Sequence, residues 1–212
     1  MLNRYTDLYP YLSPELPGCP DPVILQALQK AGRMFCLDTE AWWEQLKPVN
    51  LVDGQVSYRI SPSWEAEVKR IRDLRINTAE GIANGDEGDP VNPALYDFYP
   101  AGNKTPLGTS ISENTVILDD SLEPADNVTN GLEVSIILVP YLDSDKLDPV
   151  FLNSWIEALI GRAMADLMSM TGKKWMNPGR ANVYELQYQK ARSRAKIEKI
   201  RGNTSKDTDV EA

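Results

Sequence analysis

The apolar positions of this chain change period twice, and the changes divide it. Ile24, Leu28, Ala31 and Phe35 recur at helical spacing, with Gln26, Gln29, Lys30 and Arg33 elsewhere. Asp21 stands ahead of them as an N-cap and Pro22 at the first helical position, so a helix is predicted. "DTEAWWEQL" is predicted to continue it or to form a short second helix before Pro48. The period then falls to two. Val49 and Leu51, then Val56, Tyr58 and Ile60, alternate on either side of Asp53-Gly54, which predicts a β-hairpin. Val68, Leu74 and Ile76 in "EAEVKRIRDLRIN" mark a solvated strand. "TVILDDS" and "LEVSIILVP" are two β-branched runs read as adjacent strands.

From Asp148 the helical period returns. Asp148 caps, Pro149 begins, and Leu152, Ile156, Leu159, Ala163 and Leu167 line one face. A helix from Pro149 to Met170 would be ~33 Å long at ~1.5 Å per residue. Thr171-Gly172 stops it. Asn177-Pro178 repeats the Asp-Pro start, and Ala181, Tyr184, Tyr188, Ala191 and Ala195 mark a second long helix. Residues 77–113 are polar and rich in Gly, Asn, Asp and Pro, with one aromatic patch, "LYDFYP". The closing "GNTSKDTDVEA" has no aromatic residue and is predicted not to fold alone.

Helices therefore bracket a β segment. The expected fold is α+β: a discontinuous helical domain, made of an N-terminal helix and a C-terminal antiparallel helical hairpin, with a β-rich insertion. The expected divisions are 1–48 and 142–201 for the helical domain, 49–141 for the insertion and 202–212 for a flexible tail.

Charge and composition narrow the chemistry. The net charge is −9, unevenly spread: from Lys173 onward there are 10 Lys and Arg against 5 Asp and Glu, and before it 12 against 26. An acidic body argues against a general nucleic-acid binder, whose phosphate contacts need a positive surface. The chain has no histidine, which removes Ser-His and Cys-His nucleophiles and most transition-metal sites. Cys19 and Cys36 form no C-x-x-C pair, and Cys36 falls where a helix would bury it. No window reaches the ~18 apolar residues of a membrane span, and "MLNRYTDLYPYLSP" lacks the apolar core of a signal peptide.

The chemical look-alikes fail on spacing. "GNKTPLGTS" lacks the G-x-x-x-x-G-K-[ST] order of a phosphate loop. "ANGDEGDP" gathers carboxylates near glycine without the alternating ligands and closing Glu of a calcium loop. Asp119 and Asp120 stand at a strand end, where adjacent residues point to opposite faces, which argues against a shared acid/base role. Trp42 and Trp43, beside a helix end, are core or interface residues before they are a stacking platform. No catalytic residue, metal site or cofactor is expected.

The ordered set "PGCPDPVILQALQKAGRMFC", "LKPVNLVDGQVSYRI" and "GKKWMNPGRANVYELQYQKARSRAK" resembles the head-to-tail adaptor (connector, or neck) proteins of tailed bacteriophages. In that family a helix follows Pro-Gly-Cys-Pro, a Val-x-Gly-Gln hairpin precedes a variable β region, and Gly-Lys-x-Trp-x-Asn-Pro joins the last two helices. The resemblance spans roughly residues 17 to 201. It implies a structural virion protein, not an enzyme, located in the neck between head and tail. Its implied partners are a portal protein, a tail or further neck protein, and further copies in a ring of twelve. Genomic DNA would pass through the channel without specific binding, and no membrane is involved.

Two sets of residues follow as candidates. Gly172, Trp175, Asn177 and Pro178 make a structural corner: glycine ends one helix, Asn-Pro starts the next, and the tryptophan plugs the open end of the hairpin. Lys190, Arg192, Arg194, Lys196, Lys199 and Arg201, with Asp207 and Val210 of the tail, are expected to bind the portal. The rival readings are a nucleic-acid-binding module using the basic C-terminal helix and a histidine-free hydrolase using Asp119, Asp120 or the Asp86-Glu87-Asp89 cluster.

Overall fold

The computed structural model describes residues 4–101 and 114–204. The protein is α+β and forms two compact units. One takes the chain up to Trp42 together with the chain from Val139 onward; the other runs from Trp43 to Leu138.

The helical unit opens with three short turns that the sequence reading passed over: a 3-10 turn Tyr5–Leu8, α1 (Tyr9–Leu12) and a second 3-10 turn Ser13–Glu15. They place Tyr5, Leu8, Leu12 and Leu16 in the core. Helix α2 (Asp21–Thr39) buries Ile24, Leu28, Ala31 and Phe35 as predicted, and Cys36 with them. Each large apolar side chain so buried contributes roughly 1.5–3 kcal/mol. Its start lies one residue earlier than expected. Pro20, extended at φ −68° and ψ 139°, holds the cap position without a side-chain bond, and Asp21 is already helical. A carboxylate there still faces the positive end of the helix dipole.

The helix does not continue into "DTEAWWEQL". Glu40 turns left-handed (φ 55°) while its N–H closes the last turn on the Cys36 carbonyl at 2.9 Å. Trp43–Gln45 is instead β1, because pairing with a distant strand outweighs local propensity.

Helix α4 (Pro149–Met168) starts as predicted, with Asp148 Oδ1 accepting from the Val150 N–H at 2.8 Å. Leu152, Leu159, Ala163 and Leu167 are fully buried and Ile156 half-buried. Trp155 breaks the helical geometry (φ −123°, ψ 17°). Asn153 and Ser154 donate to the Pro149 and Val150 carbonyls in that turn, bonds of a kind that bend helices. Helix α5 (Pro178–Thr204) runs back along α4 and also touches α2. Gly161 makes the approach close: a Cβ there would sit 3.2 Å from the Tyr184 carbonyl and 3.3 Å from the Tyr188 amide nitrogen.

Among its described residues the sheet unit holds two antiparallel sheets. In the first the order is β1, β8 (Val128–Pro140), β4 (Ala66–Ile76), β5 (Asp89–Pro90), and β2 (Val49–Leu51) also pairs with β8. In the second the order is β3 (Ser57–Arg59), β7 (Thr115–Leu118), β6 (Tyr96–Tyr99). The predicted hairpin is therefore corrected. Its turn forms, with Gly54 at φ 69° and Gln55 N–H bonded to the Val52 carbonyl at 3.0 Å. Its two arms then part: Val49 lies opposite Leu132 on β8, and Tyr58 opposite Val116 on β7.

The expected adjacency of "TVILDDS" and "LEVSIILVP" is corrected in the same way, since β7 and β8 belong to different sheets. After Leu118 the carboxylate of Asp119 accepts from Ser121 N–H and caps a 3-10 turn, Asp120–Leu122, that leads the chain out of its strand. Within the polar stretch 77–101, Thr78 caps a short helix, α3 (Ala79–Asn84), which Gly85 ends at φ 78°.

Candidate functional site

The corner between α4 and α5 is built from backbone bonds. Met170 N–H reaches the Leu167 carbonyl at 3.1 Å, and Gly172 turns left-handed at φ 76°. Asn177 N–H returns to the Met168 carbonyl at 2.9 Å, closing the corner. Asn177 also caps α5, its Oδ1 accepting from Arg180 N–H at 3.1 Å ahead of Pro178. Trp175 is 9% exposed, and its indole N–H is buried without a hydrogen-bond partner among the described residues. Lys173 Nζ stands 5.9 Å from the centre of that ring. The half-exposed Cys19 thiol is pushed up by burial and by Asp21, and drawn back by Lys173, so the corner sits beside the start of α2.

The basic helix is held by carboxylates from far away in sequence. Arg192 pairs with Asp38 at 3.3 Å, and Lys199 with Glu40 at 2.6 Å. Arg194 reaches Glu198 at 3.7 Å and the Ser154 carbonyl at 3.4 Å, and lies 4.9 Å over the Trp155 ring. Three of the candidate cations are thus tied to α2, to α4 or within α5 itself. Lys190 and Lys196 make no ion pair among the described residues and stay exposed. The backbone of α5 carries Arg201, while Asp207 and Val210 lie outside the described residues.

Two tyrosines complete the attachment. Tyr184 Oη donates to Glu15 Oε2 at 2.6 Å, and Arg180 pairs with the same carboxylate at 2.9 Å. Burial first, then the Glu15 bond, push the Tyr184 hydroxyl up to about 12. Tyr188 is buried between Arg162 and Arg192, its ring 6.2 Å from Phe35 and its Oη 3.4 Å from Asp38. Burial and then Asp38 raise it to about 12 as well. Sequence reasoning missed Glu15, Asp38 and Glu40 because nothing in their own neighbourhoods marks them. Their partners lie some 150 residues away or more.

The remaining candidates separate. Trp42 is buried against Phe151, with ring centres 5.7 Å apart. Trp43, in the other unit, is half exposed and covered on one face by Arg72 at 4.2 Å. Asp119 serves as a turn cap, with its carboxyl held below the usual range by its bonds to Ser121. Glu87 of the acidic turn is bound by Arg75, which also holds Asp73. "GNKTPLGTS" lies outside the described residues. Among the described residues no three His, Cys, Asp or Glu side chains gather as metal ligands, and no helix is long and apolar enough to cross a membrane.

No family model and no curated protein matches the chain. Among solved structures it is similar to a chain of the neck of an empty GTA particle, computed with C6 symmetry, at 14% identity and a TM-score of 0.33. That match covers 75% of this chain and 74% of the other. A score this low carries no weight for the function.

Proposed function

We propose that the chain is a structural virion protein: a head-to-tail adaptor that forms a ring under the portal, extends the DNA channel and docks the tail. The observation that carries this reading is the placement of the ordered motifs. Pro-Gly-Cys-Pro ends immediately before α2, Val-Asp-Gly-Gln turns the chain between the two sheets, and Gly-Lys-Lys-Trp-Met-Asn-Pro closes the α4–α5 corner. Each motif meets a backbone need at a junction, and none gathers groups for chemistry. A net-acidic chain also suits a channel wall that lets DNA phosphates slide past without binding.

The portal contact falls on the end of α5 and the segment after it, with Lys196, Arg201, Asp207 and Val210, because Arg192, Arg194 and Lys199 already have partners within the chain and Lys190 lies six residues further back from that end. The test is electron microscopy of the protein mixed with a portal ring. Added density in a ring of twelve beneath the portal is expected. Portal rings left bare at saturating protein would sink the reading.

A further inference from the structure

Helix α5 carries two seams. Ala181, Tyr184, Tyr188, Ala191 and Ala195 recur at steps of three and four on the packed side. Val183, Leu186, Lys190, Ser193 and Ile197 recur at the same steps two residues later, about 200° round the helix. All five are exposed, and Val183, Leu186 and Ile197 keep 54%, 58% and 49% of their surface in water. Leu186, Lys190, Ser193 and Ile197 border a shallow open groove. Single exposed apolar residues are ordinary, but a heptad-spaced row has the form of a docking seam. Charge then restricts what fits. Glu185 is bound by Arg162 and Glu198 by Arg194, whereas Lys190, in the middle of the seam, makes no ion pair among the described residues. The complement must bring apolar side chains together with unpaired carboxylates.

The connection from β8 to α4 has that composition. Tyr141 and Leu142 are 44% and 61% exposed, and Asp143 and Asp145 beside them are exposed and make no ion pair among the described residues. The loop is held in shape from behind. Gln29 donates to the Ser144 carbonyl at 3.0 Å, Arg33 to the Pro140 carbonyl at 2.9 Å, and Tyr5 N–H to the Asp145 carbonyl at 3.1 Å. A loop already ordered loses little entropy on docking. It belongs to the same helical unit as α5.

We infer that the Tyr141–Asp145 loop of one copy docks on the outer seam of α5 in the next copy, with Leu142 on the apolar row and Asp143 and Asp145 facing Lys190. The two surfaces differ, so the contact is head-to-tail and repeats from copy to copy, closing where the rotation permits. The inference depends on the ring reading only for that closure.

Paired cysteines test it in the full chain with Cys19→Ser, which leaves only the buried Cys36. With Leu142→Cys and Leu186→Cys together, oxidation should give a ladder of covalent oligomers, and neither single variant should pass dimer. Lys190→Glu should cut the ladder about tenfold or more, since like charges now face each other. Adding Asp143→Lys and Asp145→Lys to that chain should restore it. Sedimentation of the same charge variants without the paired cysteines gives a second readout, expected to follow the same order. No species beyond dimer, or a ladder and sedimentation indifferent to Lys190→Glu, overturns the inference. Should rings still form under the portal in that case, the contact lies elsewhere and the adaptor reading stands; bare portals would count against the adaptor reading itself.

Discussion

Trp175 is the residue on which the corner turns. Its ring is 9% exposed, and its N–H is buried with no acceptor among the described residues, so it contributes there by filling space and not by bonding. Trp175→Ala should cost about 3 kcal/mol, the scale of losing a large buried aromatic. Trp175→Phe should cost clearly less, because it keeps much of the ring and deletes the unpartnered donor. Urea unfolding of the three chains checks both. Equal midpoints for wild type and the alanine variant would show that the ring does not hold the corner and would make the loop a candidate contact site instead. The parts of this corner, a left-handed glycine, an Asn cap and a first-turn proline, act within a few residues of themselves and are therefore readable from local sequence. It was silent on Tyr5, Leu8, Leu12 and Leu16, whose spacing of three, four and four spans α1 and two 3-10 turns instead of one regular helix.

At the scale of elements, α5 is fastened to the rest of its unit through hydroxyls that resist ionisation. Tyr184 and Tyr188 are both raised from the usual 10.0 to about 12. A raised hydroxyl favours the neutral form in the fold, so this stabilisation is complete below pH 10. It is lost as pH rises from about 10 to about 12, where the unfolded chain ionises first. The unfolding midpoint should therefore fall across that window. Tyr184→Phe with Tyr188→Phe should make the fall shallower, leaving the part due to Tyr5 and the other tyrosines that burial raises, while lowering stability at pH 8, since Glu15 and Asp38 each lose a donor. Thermal scans from pH 8 to 12 check it, with the absorbance change of tyrosinate at alkaline pH as the companion signal. An equally steep fall in the double variant would assign the alkaline loss to other groups. The strands teach the opposite lesson about legibility. The Asp53-Gly54 turn was readable from four residues, but which strand each arm would join was not, because β8 and β7 enter the chain some 60 to 80 residues later.

For the whole molecule, the distribution of charge matters more than its sum. Of the ten cations from Lys173 onward, Arg180, Arg192, Arg194 and Lys199 are taken up inside the helical unit by Glu15, Asp38, Glu198 and Glu40. Left for partners among the described residues are Lys190 and Lys196 on α5 and Lys173 and Lys174 at the corner, all exposed, with the residues beyond α5. Under the adaptor reading, truncation after Thr204 should leave the thermal midpoint within about 2 °C. The removed residues offer one sizeable apolar side chain, Val210, and little burial to lose. The same truncation should abolish attachment to portal-bearing heads. Wild-type occupancy of heads by the shortened protein would place the docking surface elsewhere.

What the sequence determined by itself was whatever acts over a few residues. That includes the faces of α2, α4 and α5, the Asp148 and Asn177 caps, the Gly54 and Gly172 turns, and the α+β order of helices around strands. These depend on side-chain periodicity and on backbone preferences that each residue carries with it. Tertiary structure alone decided the rest. It ended α2 at a left-handed Glu40 held by Lys199, turned Trp43–Gln45 into a strand, and sorted the eight strands of the described residues into two sheets. It also made half of an apparently free basic helix into an internal set of ion pairs. A strand edge or an arginine does not encode its own partner: hydrogen bonds and opposite charges are satisfied by whatever the fold brings within 3 to 4 Å.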